Sequence, residues 1–415
     1  MYDVQSFLKL VLGLDDPWFV KTTSLDQENW RLDIYIDFAK GSRFACPECG
    51  AAACPVHDTV EREWRHLNLF QYEAWIHARV PRCKCPEHGV RMVEVPWARP
   101  GSGFTLLFEG LVMFFAGMMP VAEVAETLGE HDTRIWRIVH DHVDKAVESQ
   151  DLSDVTRVGV DETARRKGHR YITAFVDLDE RGAVFVTGGK GKETVADFAK
   201  FLCSHGGETE QVTDFSSDLS PAFISGIGES FPEARITFDR FHIMKLMNNA
   251  VDEVRRSEQK ERAELLVKTR SLWLYNPSSL TKEQQEQIER LADPKNNLKT
   301  ARAWRIKLAL QDIFRENAPW SSRLLMKWYK WAVRSRLEPV VNFARTVKKH
   351  WDGIVNYFKS GVSNGILEGL NSLFKAAAAK ARGYRTVRNA ITAYYLVAGR
   401  IKLEFTNPFP ATHSK

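Results

Sequence analysis

From Thr156 the chain reads as three strand-like runs in direct succession, and this restricts its fold more than any other stretch. "TRVGVDETA", "RYITAFVDLD" and "GAVFVTGGK" are rich in β-branched and aromatic residues and are separated only by short polar or glycine-bearing breaks. A helical pattern follows from Glu193 to His205, then a strand ("EQVTDFSSD"), a helix ("SPAFISGIGESF") and a strand ("ARITFD"). Acids stand at the strand ends: Asp161 on the first, Asp214 and Asp218 about the fourth, and Asp239 after the fifth. Each alone reads as a turn or cap residue. The order of the runs matches a ribonuclease-H-like sheet, in which the first and fourth strands are neighbours, so Asp161 can face an acid from the fourth.

The flanking sequence differs in character. Residues 1 to about 40 give one short helix and then "WRLDIYIDFA", whose alternation predicts a strand; "WARPGSGFT" punctuates the chain before a helical stretch over 105–150. From about 245 to 355 the pattern is nearly all helical and rich in Lys, Arg, Glu and Trp, with Trp273, Trp304, Trp320, Trp328, Trp331 and Trp351 expected mostly in a core. At 415 residues with 44% hydrophobic and 27% charged residues, the chain has the composition of a multidomain globular protein. A net charge of +5 permits an anionic partner without requiring one. The start lacks a basic n-region and runs into Asp15 and Asp16, and the most apolar stretch, Thr105 to Ala122, contains Glu109 and meets Pro120. The expectation is a cytoplasmic protein that makes no use of a membrane.

Five of the six cysteines fall within forty positions. "CPECG" (Cys46, Cys49) and "CPEHG" (Cys85, His88) are near-identical knuckles, each presenting two ligands across a tight turn. Two such turns can close a tetrahedral Zn²⁺ site, and four protein ligands make it structural. Cys54, His57 and Cys83 are possible substitutes. Downstream, "MPVAEVAETLGEHDTRIWRIVHDHV" has the spacing of a helix-turn-helix. Val121, Val124 and Ala125 form an apolar face, Leu128-Gly129 ends the first helix, and Asp132 or Thr133 caps a second one carrying Arg134, Arg137 and His140 outward. Plain helical hairpins share this pattern.

"SGVSNGILEGLNSLFK" (Ser360 to Lys375) predicts a helix with Ile366, Leu370, Leu373 and Ala377 on a buried face. Asn364, Glu368, Asn371 and Lys375 recur along another face, and Glu368 is the only acid between Asp352 and Glu404. Acids at the strand ends and a carboxylate on this helix together suggest a site for two Mg²⁺ ions.

With these pieces in place the chain resembles the DDE transposases of bacterial insertion sequences, in the zinc-ribbon-bearing ISL-three family. The resemblance runs from "CPECG" to "AITAYYLVAGR" and is carried best by "DLSPAF", "FDRFHIMKLMNNAVDEVRR" and "SNGILEGLNSLFKAAAAKARGYR". It implies an α+β multidomain protein: an N-terminal segment and zinc ribbon (1–98), a helix-turn-helix domain (99–152), and a ribonuclease-H-like core (153–244 and 356–415) interrupted by an all-α insertion (245–355). By similarity the catalytic, Mg²⁺-binding triad falls on Asp161, Asp218 and Glu368, with Asp218 preferred to Asp214 because it precedes "LSPAF". The ribbon departs from the family where His88 replaces the more usual cysteine and Cys83 is extra.

The implied activity is Mg²⁺-dependent cleavage of terminal inverted repeats and strand transfer to target DNA, by a homodimer or higher oligomer on paired ends within the bacterial nucleoid. Paired ions ~3.5–4 Å apart would serve the in-line displacement, and no covalent protein nucleophile is needed. Candidate DNA contacts are Arg134, Arg137 and His140, then Lys348 and Lys349 in "RTVKKHW", Asn371 and Lys375 beside Glu368, and Arg382 and Arg385 in "KARGYRTVR". A catalytically silent regulator and a structure-specific nuclease on the same fold are the alternatives.

Overall fold

The alternating N-terminal segments close into one twisted sheet. The computed structural model describes residues 3–166, 170–318, 320–360 and 364–409. Its contacts divide the chain into two compact units, Met1–Ala146 with the chain from Lys402, and Val147–Ile401.

The first unit starts with α1 (Val4–Val11), followed by β1 (Trp18–Asp26), β2 (Arg31–Phe38), β3 (Arg43–Phe44), β4 (Cys54–Arg65), β5 (Glu73–Cys85) and β6 (Gly89–Met92). The strands lie in the order β1-β2-β5-β4-β3, with β6 pairing with β5. β2 and β5 run parallel; the other pairs are antiparallel. Ile34, Ile36, Ile76, Ala78 and Val80 face a core in which Trp97 meets Trp18 and Trp64 edge-on. Three helices follow: α2 (Leu106–Ala116), α3 (Val121–Leu128) and α4 (Asp132–Glu148). Glu109, fully buried in the apolar α2, is there because Arg99, Ser102 and His142 all bond its carboxylate. The α3–α4 turn passes through Gly129 at φ +67°, a conformation glycine adopts without strain. No helix among the described residues is long and apolar enough to cross a membrane.

The second unit contains β7 (Arg157–Arg166), β8 (Arg170–Asp177), β9 (Gly182–Gly188), α5 (Glu193–Ser204), β10 (Asp214–Ser217), α6 (Pro221–Ser230), β11 (Arg235–Phe238) and α7 (Arg240–Gln259). Its sheet order is β11-β10-β7-β8-β9. β10 runs parallel to both β7 and β11, while β8 and β9 are antiparallel additions. Phe175, Phe198, Phe215, Phe223 and Phe231 fill the space between this sheet and α5–α6, with Phe175 and Phe198 stacked at 4.5 Å.

A wholly helical stretch follows: α8 (Ala263–Leu266), α9 (Arg270–Leu274), α10 (Lys282–Ala292), α11 (Lys299–Glu316), α12 (Ser321–Val333), α13 (Glu338–Lys349) and α14 (Trp351–Ser360). These helices share a core around Trp273, Leu310, Leu325, Trp328 and Val340. Two buried charges there cap helix ends: Lys307 donates to the carbonyls of Trp273 and Leu274, and Glu258 accepts from the amides of Lys299 and Thr300.

The chain then returns to the sheet with α15 (Gly365–Lys380) and α16 (Val387–Ala398). Tyr395 of α16 accepts at its hydroxyl from the Val186 amide of β9. The buried face of α15 differs from the sequence expectation. Leu367, Asn371 and Phe374 are buried, whereas Leu373 is exposed and Ile366, Leu370 and Ala377 are only half-buried. The cause is Gly159 on β7, where the missing Cβ leaves room for Leu367: a Cβ there would lie 2.9 Å from Leu178 Cδ2 and 3.2 Å from Leu367 Cγ.

Candidate functional site

The register of the three parallel strands decides which acids meet. β10 pairs with β7 so that Asp214 lies beside Arg157 and Ser216 beside Gly159. Continued by two residues, that register sets Asp218 level with Asp161. β10 pairs with β11 so that Ser217 lies beside Phe238, which sets Asp239 level with Asp218. Three carboxylates therefore share one edge of the sheet, where β10 and β11 end, the place at which open parallel sheets bind ligands. Asp214 lies at the other end of β10, about 13 Å back at ~3.3 Å per residue, and is held by Arg235 at 2.9 Å.

A cavity of about 330 Å³ opens over this edge. Asp161, Asp239 and His242 line it from the sheet and the first turn of α7; Asn364, Glu368, Asn371 and Lys375 line it from α15. The polar stripe read from the sequence of α15 is thus the stripe that faces the cavity. Asp218 stands beside the lining, its charge acting on both Asp161 and His242. One of its oxygens accepts from the Ser220 amide at the start of α6.

Asp161 is held from two sides. Its Oδ1 accepts from the Glu162 amide (2.8 Å) and its Oδ2 from Asn371 Nδ2 (2.9 Å); Asn371 Oδ1 in turn accepts from the Tyr394 hydroxyl (3.0 Å). Asn371 is buried, with its amide engaged by Asp161 and Tyr394 and so turned to the carboxylate rather than outward to DNA. Asp239 is buried, with one carboxylate oxygen 3.0 Å from His242 Nδ1 and the other unpaired. His242 is the residue that sequence reasoning passed over. Its signal is the i, i+3 spacing in "DRFH", which brings the imidazole back over the acid preceding α7.

The electrostatics are those of crowded acids. Burial, with the charge of Asp218 adding to it, pushes the Asp161 carboxyl up to about 6. Burial and Asp239 raise Glu368, and the bond to Asp239 raises His242. Lys375 offsets part of the negative charge at Asp161 and Glu368. A carboxylate-rich lining with surplus negative charge, and a buried carboxylate oxygen without a partner among the described residues, fits a hard divalent cation.

In the first unit, Cys46, Cys49, Cys85 and His88 bring their ligand atoms within 4.8 Å of one another, the only such group among the described residues. The Cys49 and Cys85 sulfurs are 3.7 Å apart, close to the ~3.8 Å edge of a tetrahedron with Zn–S bonds of ~2.3 Å. His88 Nδ1 faces the sulfurs of Cys46 and Cys85, and its Nε2 lies 3.6 Å from Glu48, the outer carboxylate that orients such a ligand. Cys54 and Cys83 point their thiols at the carbonyls of Ala51 and Ala45, beside the set rather than in it.

The other basic candidates separate by exposure. Arg134 is half-buried and engaged within the domain, salt-bridged to Glu130 at 2.6 Å with its guanidinium 4.4 Å over the Phe104 ring. Arg137 is exposed, and His140 stacks on Trp136. α4 begins at Asp132, with the Thr133 amide donating to His131 Nδ1. Lys348 and Lys349 are exposed on the last turn of α13, with Lys348 over Trp351. Arg382 and Arg385 are exposed between α15 and α16. None of these four lines the cavity.

Comparison with known proteins agrees along the chain. Residues 158–394 match a family model described as transposase. Residues 93–143 match the helix-turn-helix domain of transposase family ISL3, and residues 42–88 the zinc-finger of transposase IS204/IS1001/IS1096/IS1165. The chain is 28% identical over 359 residues to a transposase for insertion sequence element IS1557 of Mycobacterium tuberculosis, covering 78% of this chain and 79% of that protein. It is 26% identical over 353 residues to a transposase for insertion sequence element IS1001 of Bordetella parapertussis, covering 82% and 85%.

Proposed function

The chain belongs to the ISL3 family of insertion-sequence transposases, and on that premise we propose that it binds the terminal inverted repeats of its element and cuts and joins DNA strands there with Mg²⁺. The observation that carries this reading is the strand register: Asp161 and Asp218 come level at one sheet edge, with Glu368 across the cavity on α15. The sheet order β11-β10-β7-β8-β9 supports a ribonuclease-H-like core. The wholly helical stretch, whose core reaches Phe238 at the end of β11, supports an insertion at 245–355 between the parts 153–244 and 356–415, after a ribbon (1–98) and a helix-turn-helix domain (99–152).

Asp161, Asp218 and Glu368 would hold two Mg²⁺ ions, which when bound supply the charge that activates a water or 3′-hydroxyl and stabilises the leaving oxygen. The protein's own part is positioning. Tyr394 fixes Asn371, and Asn371 fixes Asp161, so this acid of the triad keeps one orientation. Lys375, at the rim, suits the DNA backbone, as do Lys348, Lys349, Arg382 and Arg385. In the helix-turn-helix, Arg137 and His140 suit groove contacts; Arg134 serves mainly to hold Glu130 and Phe104. Zn²⁺ on Cys46, Cys49, Cys85 and His88 would be structural. We read the active species as a homodimer or larger assembly on paired ends.

The test is strand nicking of a duplex carrying the element's terminal repeat, with Mg²⁺ or with chelator, against a duplex of scrambled repeat. The proposal expects Mg²⁺-dependent nicking at the repeat boundary. Binding without nicking would mean a regulator, and equal cleavage of unrelated branched DNA would mean a structure-specific nuclease.

A further inference from the structure

Two buried polar atoms at the cavity have no partner among the described residues: Asp239 Oδ1 and Asn364 Nδ2. The first is an acceptor, and a cation satisfies it. The second is a donor, and a cation cannot. Asn364 is 1% exposed and lines the cavity. In this structure its Oδ1 accepts from the buried Ser216 hydroxyl of β10, which leaves Nδ2 as the end without a partner among the described residues. A buried donor left unsatisfied is costly, and one that lines a cavity is met there by water or by a ligand.

The position of Asn364 adds to this demand. It is the N-cap residue of the 16-residue α15, yet its side chain makes no capping bond to the first turn. The positive end of the α15 dipole therefore lies at the same wall as the unpaired amide. The Asn364 carbonyl accepts from the Glu368 amide at 2.9 Å, one turn along, which ties this residue to the carboxylate that lines the same cavity. The cavity thus has a wall that wants an anion and walls that want cations, set one helical turn apart.

We propose that Asn364 Nδ2, at the N-terminus of α15, donates a hydrogen bond to a non-bridging oxygen of the phosphodiester to be cut. The inference rests on the reading of this cavity as a phosphodiester-cleaving site and adds a direct substrate contact to it. Cations held by the carboxylates would supply the attraction for the phosphate, and Asn364 would fix which way its oxygens point.

The experiment is a binding cycle with the full-length protein in Ca²⁺, read by fluorescence anisotropy. The probes are a terminal-repeat duplex with a native phosphate at the repeat–flank boundary and the same duplex with a neutral methylphosphonate there. Wild type is expected to prefer the native linkage by roughly tenfold or more, the worth of a hydrogen bond to a charged group. Asn364→Ala is expected to lose most of that preference. Asn364→Asp keeps the oxygen that Ser216 bonds and replaces the donor by a negative oxygen. It is expected to reverse the order and bind the methylphosphonate duplex better. A native-to-methylphosphonate ratio unchanged from wild type in both variants overturns the inference. If Asn364→Ala does not fold, Asn364→Asp alone decides by the sign of its preference. Nicking by wild type in Mg²⁺ is scored separately: normal nicking with unchanged ratios strikes this inference alone, whereas absent nicking strikes the enzymatic reading while the ratios still judge the contact.

Discussion

Gly159→Ala should disable the site without touching any residue that lines it. The added Cβ would meet Leu367 directly, with Leu178 Cδ2 at 2.9 Å. Both leucines are buried, so neither can swing into solvent. Overpacking of this kind costs about 1–3 kcal/mol. The strand is the fixed partner, paired on both sides by β10 and β8, so the strain falls on α15. Leu367 directly precedes Glu368, and a displacement of about 1 Å in a reacting group costs on the order of 10²-fold in rate. The expectation is therefore a modest fall in stability with a fall of about 10²-fold in single-turnover nicking. The rescue is Leu367→Ala in the Gly159→Ala background. The single change Leu367→Ala costs about 2–5 kcal/mol by leaving a cavity, but in the double variant the new methyl group takes part of that space. The two stability losses should fall short of additivity by about 1 kcal/mol or more, and nicking per folded molecule should recover. Urea denaturation and nicking on the terminal-repeat duplex measure the two quantities. Wild-type nicking by Gly159→Ala, or strict additivity in the double variant, would refute the claim that this contact positions Glu368.

Four further outcomes are expected. Zn²⁺ should copurify at one ion per chain, and Cys49→Ser should lose it and loosen the ribbon, read by metal analysis and repeat binding; a metal-free chain with unchanged DNA affinity would remove the zinc reading. Burial pushes the His66 imidazole down to about 4, so between pH 6.5 and 4 the unfolded chain takes up a proton that the folded one refuses. Stability should therefore fall as pH falls through that window, by up to about 3 kcal/mol, and the fall should shrink in His66→Gln; identical pH slopes in denaturant unfolding would contradict this. Arg137→Ala should weaken repeat binding and, if it meets a phosphate, reduce the salt slope by about one unit. Arg134→Ala should instead lower stability by about 1–3 kcal/mol, since Glu130 is left buried without its partner.

The strand succession and its acids were readable because periodicity in a sheet is local, and register then follows from parallel pairing. So were the knuckles, whose spacing is fixed by tight turns, and the polar stripe of α15. Which apolar face of α15 is buried was not readable. Ile366, Leu370 and Leu373 have helical spacing as good as that of Leu367 and Phe374, and the choice is made by Gly159, some two hundred positions earlier. The partners of Arg134 were not readable for a similar reason: on the helical wheel it points outward, and Phe104 from the preceding segment supplies a ring for it. β1 escaped notice because most of its residues after Val20 are exposed and polar, so burial does not impress a period on it. The His242–Asp239 pair has a sequence signal in its i, i+3 spacing, but that spacing brings the two together only because α7 starts at Arg240.

The central claim is that Asp218, not Asp214, joins Asp161 and Glu368, and one comparison tests it directly: Mg²⁺-dependent nicking of the terminal-repeat duplex by Asp218→Asn and by Asp214→Asn. Asp218→Asn should fold, bind the repeat and fail to nick, as should Asp161→Asn and Glu368→Gln, with combinations adding little because the three act as one unit. Asp214→Asn should keep substantial nicking, because its carboxylate lies at the far end of β10 against Arg235. Near-normal nicking by Asp218→Asn, or its loss in a folded Asp214→Asn, would contradict the account.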